Sequence, residues 1–339
     1  MNYLSIEELR TRFNHDRNEL RDALFHSWIF SNIDCYDFRM ANIKIKACID
    51  FIDIQFETDE FHPYSNIKKY LTEQTGISHF IKPLDGNMTS SKNFFIRLHD
   101  IHSMDALHSR LTPLQHYISA LSINDLHIQE IELAMDFYNA PDELALALFK
   151  AIRLEKETSN IRLYGKHKKD LLFFKLRDTD IHKKVAPTFP PYVLDYLRYG
   201  GCEEYSNGNI GINPKTAPIS YHIYLKRTDH GGLMLPPDRH RIRLELNMKQ
   251  SELSNAVIGK LSSVINKASK LLQFIKLKTT ATKKEKVNFY RIYPYGLEVP
   301  YYYDNHRNKR KLPPFIESNP YMNKIKRDVF KTLADKFLT

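Results

Sequence analysis

Several features that would place this chain in a familiar class are missing from its sequence. No apolar run approaches the roughly 20 residues that span a bilayer, and residues 1–13 carry charges in place of an apolar signal core. Only three cysteines occur, Cys35, Cys48 and Cys202, and none forms a CxxC pair typical of metal or redox sites. We therefore expect a cytoplasmic protein with reduced thiols and no membrane partner.

Motifs for nucleotide-driven and histidine-based chemistry are also absent. The sequence has no Walker loop, no GxGxxG fingerprint, no His-hydrophobic-His motif and no Ser/His/Asp pattern. His99 and His102 form one His-x-x-His, which alone is weak evidence for a metal site. ATP-driven chemistry is therefore not expected.

What the sequence does contain is a globular composition with a strongly uneven charge. Apolar residues make up 42% and aromatic residues 12% of the 339 residues, enough for a large core. The net charge is +10, yet residues 260–339 alone carry 18 Lys and Arg against 6 Asp and Glu. The preceding 259 residues carry 32 basic and 34 acidic side chains. A polyanion such as DNA is the expected partner, because each phosphate neutralised releases condensed counterions.

Hydrophobic periodicity predicts an α+β fold with a central, mainly antiparallel sheet and helices on one face. Alternation typical of strands occurs at 43–51, 93–101, 127–139, 160–164, 171–176, 220–227 and 239–249. Helical spacing occurs at 5–30, 104–121, from Pro141 onwards, in an apolar stripe from Leu253 to Ile275, and at 321–338. This predicts a helical N-terminal segment at 1–40, an α+β domain at 41–255, and a basic, tyrosine-rich C-terminal region at 256–339.

Three of the predicted strands carry polar side chains on one face. Alternation places Glu130, Glu132 and Asp136 together in one strand, His222, Tyr224 and Lys226 in the second, and Arg241, Arg243, Glu245, Asn247 and Lys249 in the third. If these strands are neighbours, one sheet face offers oxygen ligands suited to Mg²⁺ or Mn²⁺. The alternative is a solvated sheet face with cross-strand ion pairs.

The same three strands resemble those of plasmid rolling-circle replication initiators of the Rep_trans type, together with related phage replication initiation factors and conjugative relaxases. IQEIELAMDFYN is similar to that family's TRLDLAFDF strand, SYHIYLKR to its IRIYNK strand, and RHRIRLELNMK to its WRVEIELK strand. The resemblance covers roughly residues 43–255 and implies a fold like that of HUH endonucleases. In such proteins a tyrosine attacks a DNA phosphate with the help of a carboxylate-bound divalent metal.

Carried over residue by residue, the resemblance implies Asp136 and Glu245 as ligands of Mg²⁺ or Mn²⁺, with Glu132 as a third. Lys226 would support the phosphate charge or the nucleophile. Arg243 stands where the family has the first Glu of its third strand.

The nucleophile itself stays open at the level of sequence. Where the family has tyrosine before a Y-x-G turn, this chain has Asn209 in Asn-Ile-Gly. Tyr205 lies four residues earlier and becomes the catalytic tyrosine if the loop carries an insertion. Another tyrosine, such as Tyr199, or loss of nicking altogether are the alternatives.

Basic and aromatic side chains predict the DNA-binding surface. Rings can stack on unpaired bases while Lys and Arg follow the phosphates. The residues expected to contact DNA are Arg241, Arg243, Lys283, Lys284, Arg307, Lys309, Arg310, Lys311, Tyr301 and Tyr302.

Three hypotheses follow for the function. The first is a metal-dependent, tyrosine-using nicking and joining protein that starts replication or transfer of a mobile element. Its DNA partner would be an origin or element end with hairpin or single-stranded character. This hypothesis also allows a host helicase as a protein partner and a homodimer as the oligomeric state. The second is a non-catalytic, sequence-specific DNA-binding protein on the same fold. The third is an RNA-binding protein, because a basic aromatic surface does not by itself distinguish the two polymers.

Overall fold

The computed structural model describes residues 35, 38–118, 122–141, 144–153, 161–163, 210–212, 216–228, 233–282 and 315–338. These residues form an α+β architecture in which antiparallel strands build the sheet and helices cover one of its faces. The predicted helix at 5–30 and the predicted strand at 171–176 lie outside the described residues. Within the described ranges, every helix is too short or too polar to cross a membrane.

An eight-stranded antiparallel sheet forms the centre of the molecule. Its strands are β1 (Lys44–His62), β2 (Phe80–Pro83), β3 (Ser91–His99), β4 (His127–Tyr138), β6 (Ile161–Leu163), β7 (Ile210–Ile212), β8 (Ile219–Lys226) and β9 (Arg241–Lys249), with a short β5 (Ile152–Arg153) outside it. Their spatial order is β2-β3-β1-β4-β9-β8-β7-β6. The three strands with polar side chains on one face, β4, β9 and β8, are therefore consecutive neighbours in the sheet. A metal site on that face requires this arrangement.

Among the described residues, five α-helices pack on one side of this sheet. They are α1 (Tyr64–Thr75), α2 (Met104–Leu111), α3 (Leu144–Ala151), α4 (Leu261–Leu271) and α5 (Pro320–Ala334). Local chemistry sets several of their ends. Ser103 caps α2 by accepting a hydrogen bond from the Ala106 N–H, and Gly76 ends α1 in the left-handed conformation at φ +69°. Asn319 caps α5, with Pro320 at its first position.

The prediction of one long helix from Leu253 to Ile275 is wrong, because the α-helix in this segment covers only Leu261–Leu271. The chain forms 3₁₀ turns at Gln250–Glu252 and Ile258–Lys260, then α4, and then a strand, β10 (Gln273–Leu277). β10 pairs with β11 (Ile316–Ser318) on one side and with β5 on the other. Pairing with distant strands decides the conformation of this apolar segment, because a short apolar run fits a buried strand as well as a helix.

One hydrophobic core joins the sheet to the C-terminal helices. On the covered face the strands contribute alternate residues such as Ile131, Leu133, Met135 and Phe137, all with no exposed surface. Phe274 of β10 and Phe330 of α5 belong to the same cluster. Part of the region predicted to contact DNA, 256–339, thus packs into the core of the α+β domain.

Asn323 on α5 fastens this helix to β10. Its Nδ2 donates to the Phe274 carbonyl at 2.7 Å, and its Oδ1 accepts from the Phe274 N–H at 3.0 Å. We expect Asn323→Ala to lower the free energy of unfolding by about 2 kcal/mol, because the buried Phe274 N–H loses its side-chain acceptor. The Phe274 carbonyl loses one of two donors and keeps the Asn319 N–H. Urea unfolding would measure this. Lys324→Ala, an exposed position on the same helix, is the control and should change stability by less than about 0.5 kcal/mol.

A buried histidine between α1 and β2 makes the fold sensitive to acid. His79 is 3% exposed, and its Nε2 lies 2.9 Å from the Thr75 hydroxyl. Burial lowers the pKa of His79 from its ordinary 6.5, and the charge of Arg110 lowers it further. Below pH 6.5 the unfolded chain therefore binds this proton more readily than the folded chain does, so stability falls as the pH falls.

We expect the unfolding midpoint in urea to decrease between pH 7.5 and 5.5, and His79→Gln to reduce that decrease. The exposed His102 supplies the matched control, since His102→Gln should leave the pH dependence unchanged. Equal slopes for wild type and His79→Gln would show that His79 does not carry the effect.

Candidate metal centre

The face of the sheet opposite the described helices carries the polar residues in cross-strand rows. Glu132 of β4 pairs with Asn247 of β9, which pairs with Ser220 of β8. The next row holds Ala134, Glu245 and His222, and the row after it holds Asp136, Arg243 and Tyr224. Residues that pair directly in an antiparallel ladder project to the same face. The polar side chains predicted to share a face do so.

Three carboxylates converge on this face from three different strands. One oxygen each of Asp50 on β1, Glu132 on β4 and Glu245 on β9 lies within 4.8 Å of the other two. A single divalent ion can bridge such a group, because two metal–oxygen bonds of about 2.0–2.6 Å span about 4–5 Å. Strand β4 lies between β1 and β9, and its residue paired with Glu245 is Ala134. The small methyl group of Ala134 leaves room for the longer acidic side chains.

A β-bulge brings Asp50 into the group. Ile49 pairs with Leu133 and Phe51 pairs with Glu132, so Asp50 is the extra residue of β1 at this point. A bulge lets two consecutive residues oppose one on the partner strand and redirects their side chains. As a result Asp50 and Phe51 both lie on the polar face, and the core face of β1 continues with Ile52 and Ile54.

Glu245 is held by polar neighbours from β8. The Tyr224 hydroxyl donates to Glu245 Oε1 at 2.6 Å, and His222 Nδ1 lies 3.2 Å from Oε2. The two rings stack on each other with centroids 4.6 Å apart. Burial raises the pKa of the Tyr224 hydroxyl well above its usual range, and the charge of Glu245 raises it further. Tyr224 therefore keeps its proton and serves to orient Glu245.

Asp136 has a different environment from the three converging acids. Arg243 donates to both of its oxygens, from Nε at 2.7 Å and from Nη2 at 2.8 Å, and Arg241 Nε lies 3.0 Å away without hydrogen-bond geometry. Burial opposes the charge of Arg243, but the bonds to Asp136 raise its pKa beyond the ordinary arginine value. Asp136 thus forms an ion pair with Arg243 and does not belong to the three-carboxylate group. The third carboxylate of that group is Asp50.

Basic groups also reach the carboxylate group itself. Arg243 Nη1 contacts Asp50 Oδ1 and lies 3.9 Å from Glu245 Oε1, while Lys226 Nζ lies 3.7 Å from Asp50. These cations lower the cost of gathering negative charge on a half-buried surface. They also occupy part of the space and lone pairs that a metal ion would use.

A pocket of about 320 Å³ opens beside Glu132 and Glu245. Its wall combines one aromatic ring, basic groups, amide and hydroxyl groups, and carboxylates: Phe51, Arg97, Glu130, Glu132, Ser220, Tyr221, His222, Glu245, Asn247 and Lys249. Such a mixed lining, which includes three carboxylates, suits a polar, partly aromatic ligand.

The structure places the predicted site residues as follows. Glu132, Glu245 and Lys226 lie together around the carboxylate group, and Asp136 lies in the adjoining ion-pair row. Arg241 and Arg243, predicted as DNA contacts, have side chains only 12% and 4% exposed and face Asp136. Tyr205 and the predicted DNA contacts from Lys283 to Lys311 lie outside the described residues.

Sequence reasoning missed Asp50. The available signal is the adjacent apolar pair Phe51–Ile52, which breaks the alternation of the strand and marks the bulge.

Compared with known proteins, the chain matches no protein-family model and no curated protein.

Proposed function

We propose that this protein is a divalent-metal-dependent DNA nicking and joining protein that initiates replication or transfer of a mobile element. The observation that carries the proposal is the convergence of Asp50, Glu132 and Glu245 from three strands of one sheet face. Carboxylate oxygens are the ligands that Mg²⁺ and Mn²⁺ prefer. Resemblance of the three polar strands to rolling-circle initiators supplies the reaction class.

The residues around the carboxylates have separate tasks in this proposal. Asp50, Glu132 and Glu245 would hold the ion, which when bound would polarise the scissile phosphodiester. Tyr224 and His222 keep Glu245 in position through hydrogen bonds to its two oxygens. Lys226 would stabilise negative charge on the phosphate oxygens, because this cation already lies beside Asp50.

A tyrosine hydroxyl is the nucleophile in the proposed reaction. The hydroxyl loses its proton as its oxygen forms a bond to phosphorus, the bond from phosphorus to the 3′ oxygen breaks, and that 3′ oxygen takes up one proton. The products are a 5′-phosphotyrosyl link and a free 3′-OH. In the reverse reaction the 3′-OH attacks the phosphotyrosyl phosphorus, which rejoins the strand and releases the tyrosine. Tyr205 remains the candidate from the sequence. Tyr224 is assigned to positioning, because its raised pKa and its bond to Glu245 make it a poor nucleophile.

An HUH-type fold is part of the same proposal. Adjacent antiparallel strands that present acidic residues to an open face support it. The chain has no His-hydrophobic-His motif, so the proposed metal ligands are carboxylates.

Non-catalytic DNA binding on the same fold is the second candidate. The arginine at position 243, where the resembling strand has a glutamate, favours it. This side chain binds Asp136 and contacts Asp50, so it neutralises two carboxylates that would serve as metal ligands in a nuclease. In this alternative the carboxylate group is an internal ion-pair network that orders the sheet face.

A nicking assay separates the two. Purified protein is incubated with supercoiled plasmid carrying its cognate locus, in Mg²⁺, in Mn²⁺ and in EDTA. Open-circular DNA with covalently attached protein, formed only with metal, is the expected result, and Tyr205→Phe should abolish the adduct. Tight, salt-sensitive binding with no nick in any metal would favour the non-catalytic alternative.

A further inference from the structure

Aromatic and basic side chains form a row on the polar sheet face, leading away from the carboxylates. Asp53 of β1 pairs with Arg97 of β3, which pairs with Phe80 of β2. In the adjoining row Phe95 of β3 pairs with Lys82 of β2. Directly paired residues share a face, so these side chains all lie on the side opposite the described helices, while β3 turns Phe94, Ile96 and Leu98 to the core.

The rings and cations in this row contact one another in sequence. The Arg97 guanidinium lies 3.8 Å from the centre of the Phe51 ring and 6.0 Å from that of Phe80. The Phe80 and Phe95 rings are 5.9 Å apart, and Lys82 Nζ lies 5.1 Å from the Phe80 ring. We call Phe51, Arg97, Phe80, Phe95 and Lys82 the aromatic platform.

Packing does not account for the outer end of this platform. Phe80 is 45% exposed on an edge strand, although the covered face of the sheet already has a complete core. Two hydrogen bonds of 2.7 Å to Asp53 hold the Arg97 guanidinium over the Phe51 ring. The result is a pre-ordered surface of π faces with cations above them, which costs little further ordering when a ligand binds.

The platform is continuous with the candidate metal centre. Phe51 and Arg97 belong both to the platform and to the wall of the pocket beside Glu132 and Glu245. A ligand lying along the platform therefore reaches the carboxylates without leaving the sheet face.

We infer that the aromatic platform binds single-stranded DNA and directs it into the pocket at the metal centre. Bases would stack on Phe80 and Phe95, and Lys82 would meet the phosphates. Aromatic faces that alternate with basic groups are the surface that single strands use, because every base has a π face and every linkage a charge. This inference rests on the proposed function for the identity of the strand, and it adds the path by which the strand arrives.

The test measures binding separately from chemistry. Full-length protein is titrated into a fluorescein-labelled 15-nucleotide poly(dT) in EDTA, and anisotropy gives the dissociation constant. We expect Phe80→Ala to weaken binding about 10-fold, Phe80→Leu to weaken it similarly, and Phe80→Tyr to retain affinity, because stacking requires a ring. Phe61→Ala, at a phenylalanine 66% exposed near the far end of β1, is the control and should change affinity less than about 2-fold.

A direct map of the contact complements the variants. Ultraviolet cross-linking to an oligonucleotide with 5-iododeoxyuridine, followed by mass spectrometry, should give adducts on the peptide that contains Phe80 or Phe95. Unchanged affinity in Phe80→Ala, an equal loss in Phe61→Ala, or adducts confined to other segments would each overturn the inference. So would concentration-dependent dimerisation that Phe80→Ala abolishes while poly(dT) affinity stays the same, because a second copy would then be the occupant.

The outcomes also distinguish this inference from the proposed function. If the protein nicks its locus with metal and Phe80→Ala binds poly(dT) normally, the platform assignment fails and the function stands. If no metal supports nicking and Phe80→Ala still loses affinity, the platform stands and the catalytic proposal fails.

Discussion

Glu245→Gln is expected to lower metal-dependent nicking by about 100-fold or more and to weaken Mn²⁺ binding. The substitution keeps the size of the side chain but removes the charge that belongs to the three-carboxylate group. Metal stabilisation of a transition state is worth several kcal/mol, and each 1.4 kcal/mol changes the rate about tenfold. Isothermal titration with Mn²⁺ measures the binding, and open-circular product formed per minute measures the rate.

Two further variants make this prediction specific. Asp50→Asn should have a comparable effect, since Asp50 supplies another oxygen of the same group although the family resemblance does not include it. Glu60→Gln, at an exposed position of β1, is the matched control and should bind and nick as the wild type does. Wild-type nicking in Glu245→Gln and Asp50→Asn would show that the three carboxylates hold no catalytic metal.

Arg243→Leu is expected to destabilise the fold by about 3–5 kcal/mol. The Arg243 side chain is 4% exposed, donates to both oxygens of Asp136 and contacts Asp50. Its loss leaves the buried Asp136 without its main partner, and removing one member of a buried ion pair has this cost. A fall in the urea midpoint with an unchanged m-value would record the loss.

Removing both members of the pair should cost less than removing one. Arg243→Leu combined with Asp136→Leu is expected to regain part of the lost stability, because no uncompensated charge then remains at position 136. Arg239→Leu, at an exposed arginine on the turn before β9, is the control and should be near neutral. If Arg243 instead contacts DNA directly, as its sequence pattern suggests, Arg243→Leu would leave stability unchanged and weaken DNA binding alone.

The sequence predicted the face on which each polar side chain of β4, β8 and β9 lies. A strand has a period of two, so alternation within HIQEIELAMDFY, ISYHIYLK and RIRLELNMK is enough to separate core residues from Glu132, Glu245, His222, Tyr224 and Lys226. The α+β class and the existence of most described strands follow from the same local rule. Where local spacing was ambiguous, as between Leu253 and Ile275, the prediction extended a helix into a strand.

Which acids converge could not be read from alternation, because that depends on register between strands far apart in the chain. The resemblance paired Asp136 with Glu245 as metal ligands. The fold instead brings Asp50 to Glu132 and Glu245 through a one-residue bulge, and it gives Asp136 to Arg243, a residue 107 positions away. A bulge shifts every later residue of the strand, so one inserted position changes which side chains meet.

The sequence by itself determined the basic charge of the last eighty residues, the antiparallel α+β character and the polar face of three strands. Only the tertiary structure decided the strand order, and with it the three-carboxylate group and the aromatic platform that runs from Phe51 across β3 to Phe80. The physical reason is that face assignment is a local property of each strand, whereas proximity between faces is set by long-range hydrogen-bonded pairing and core packing.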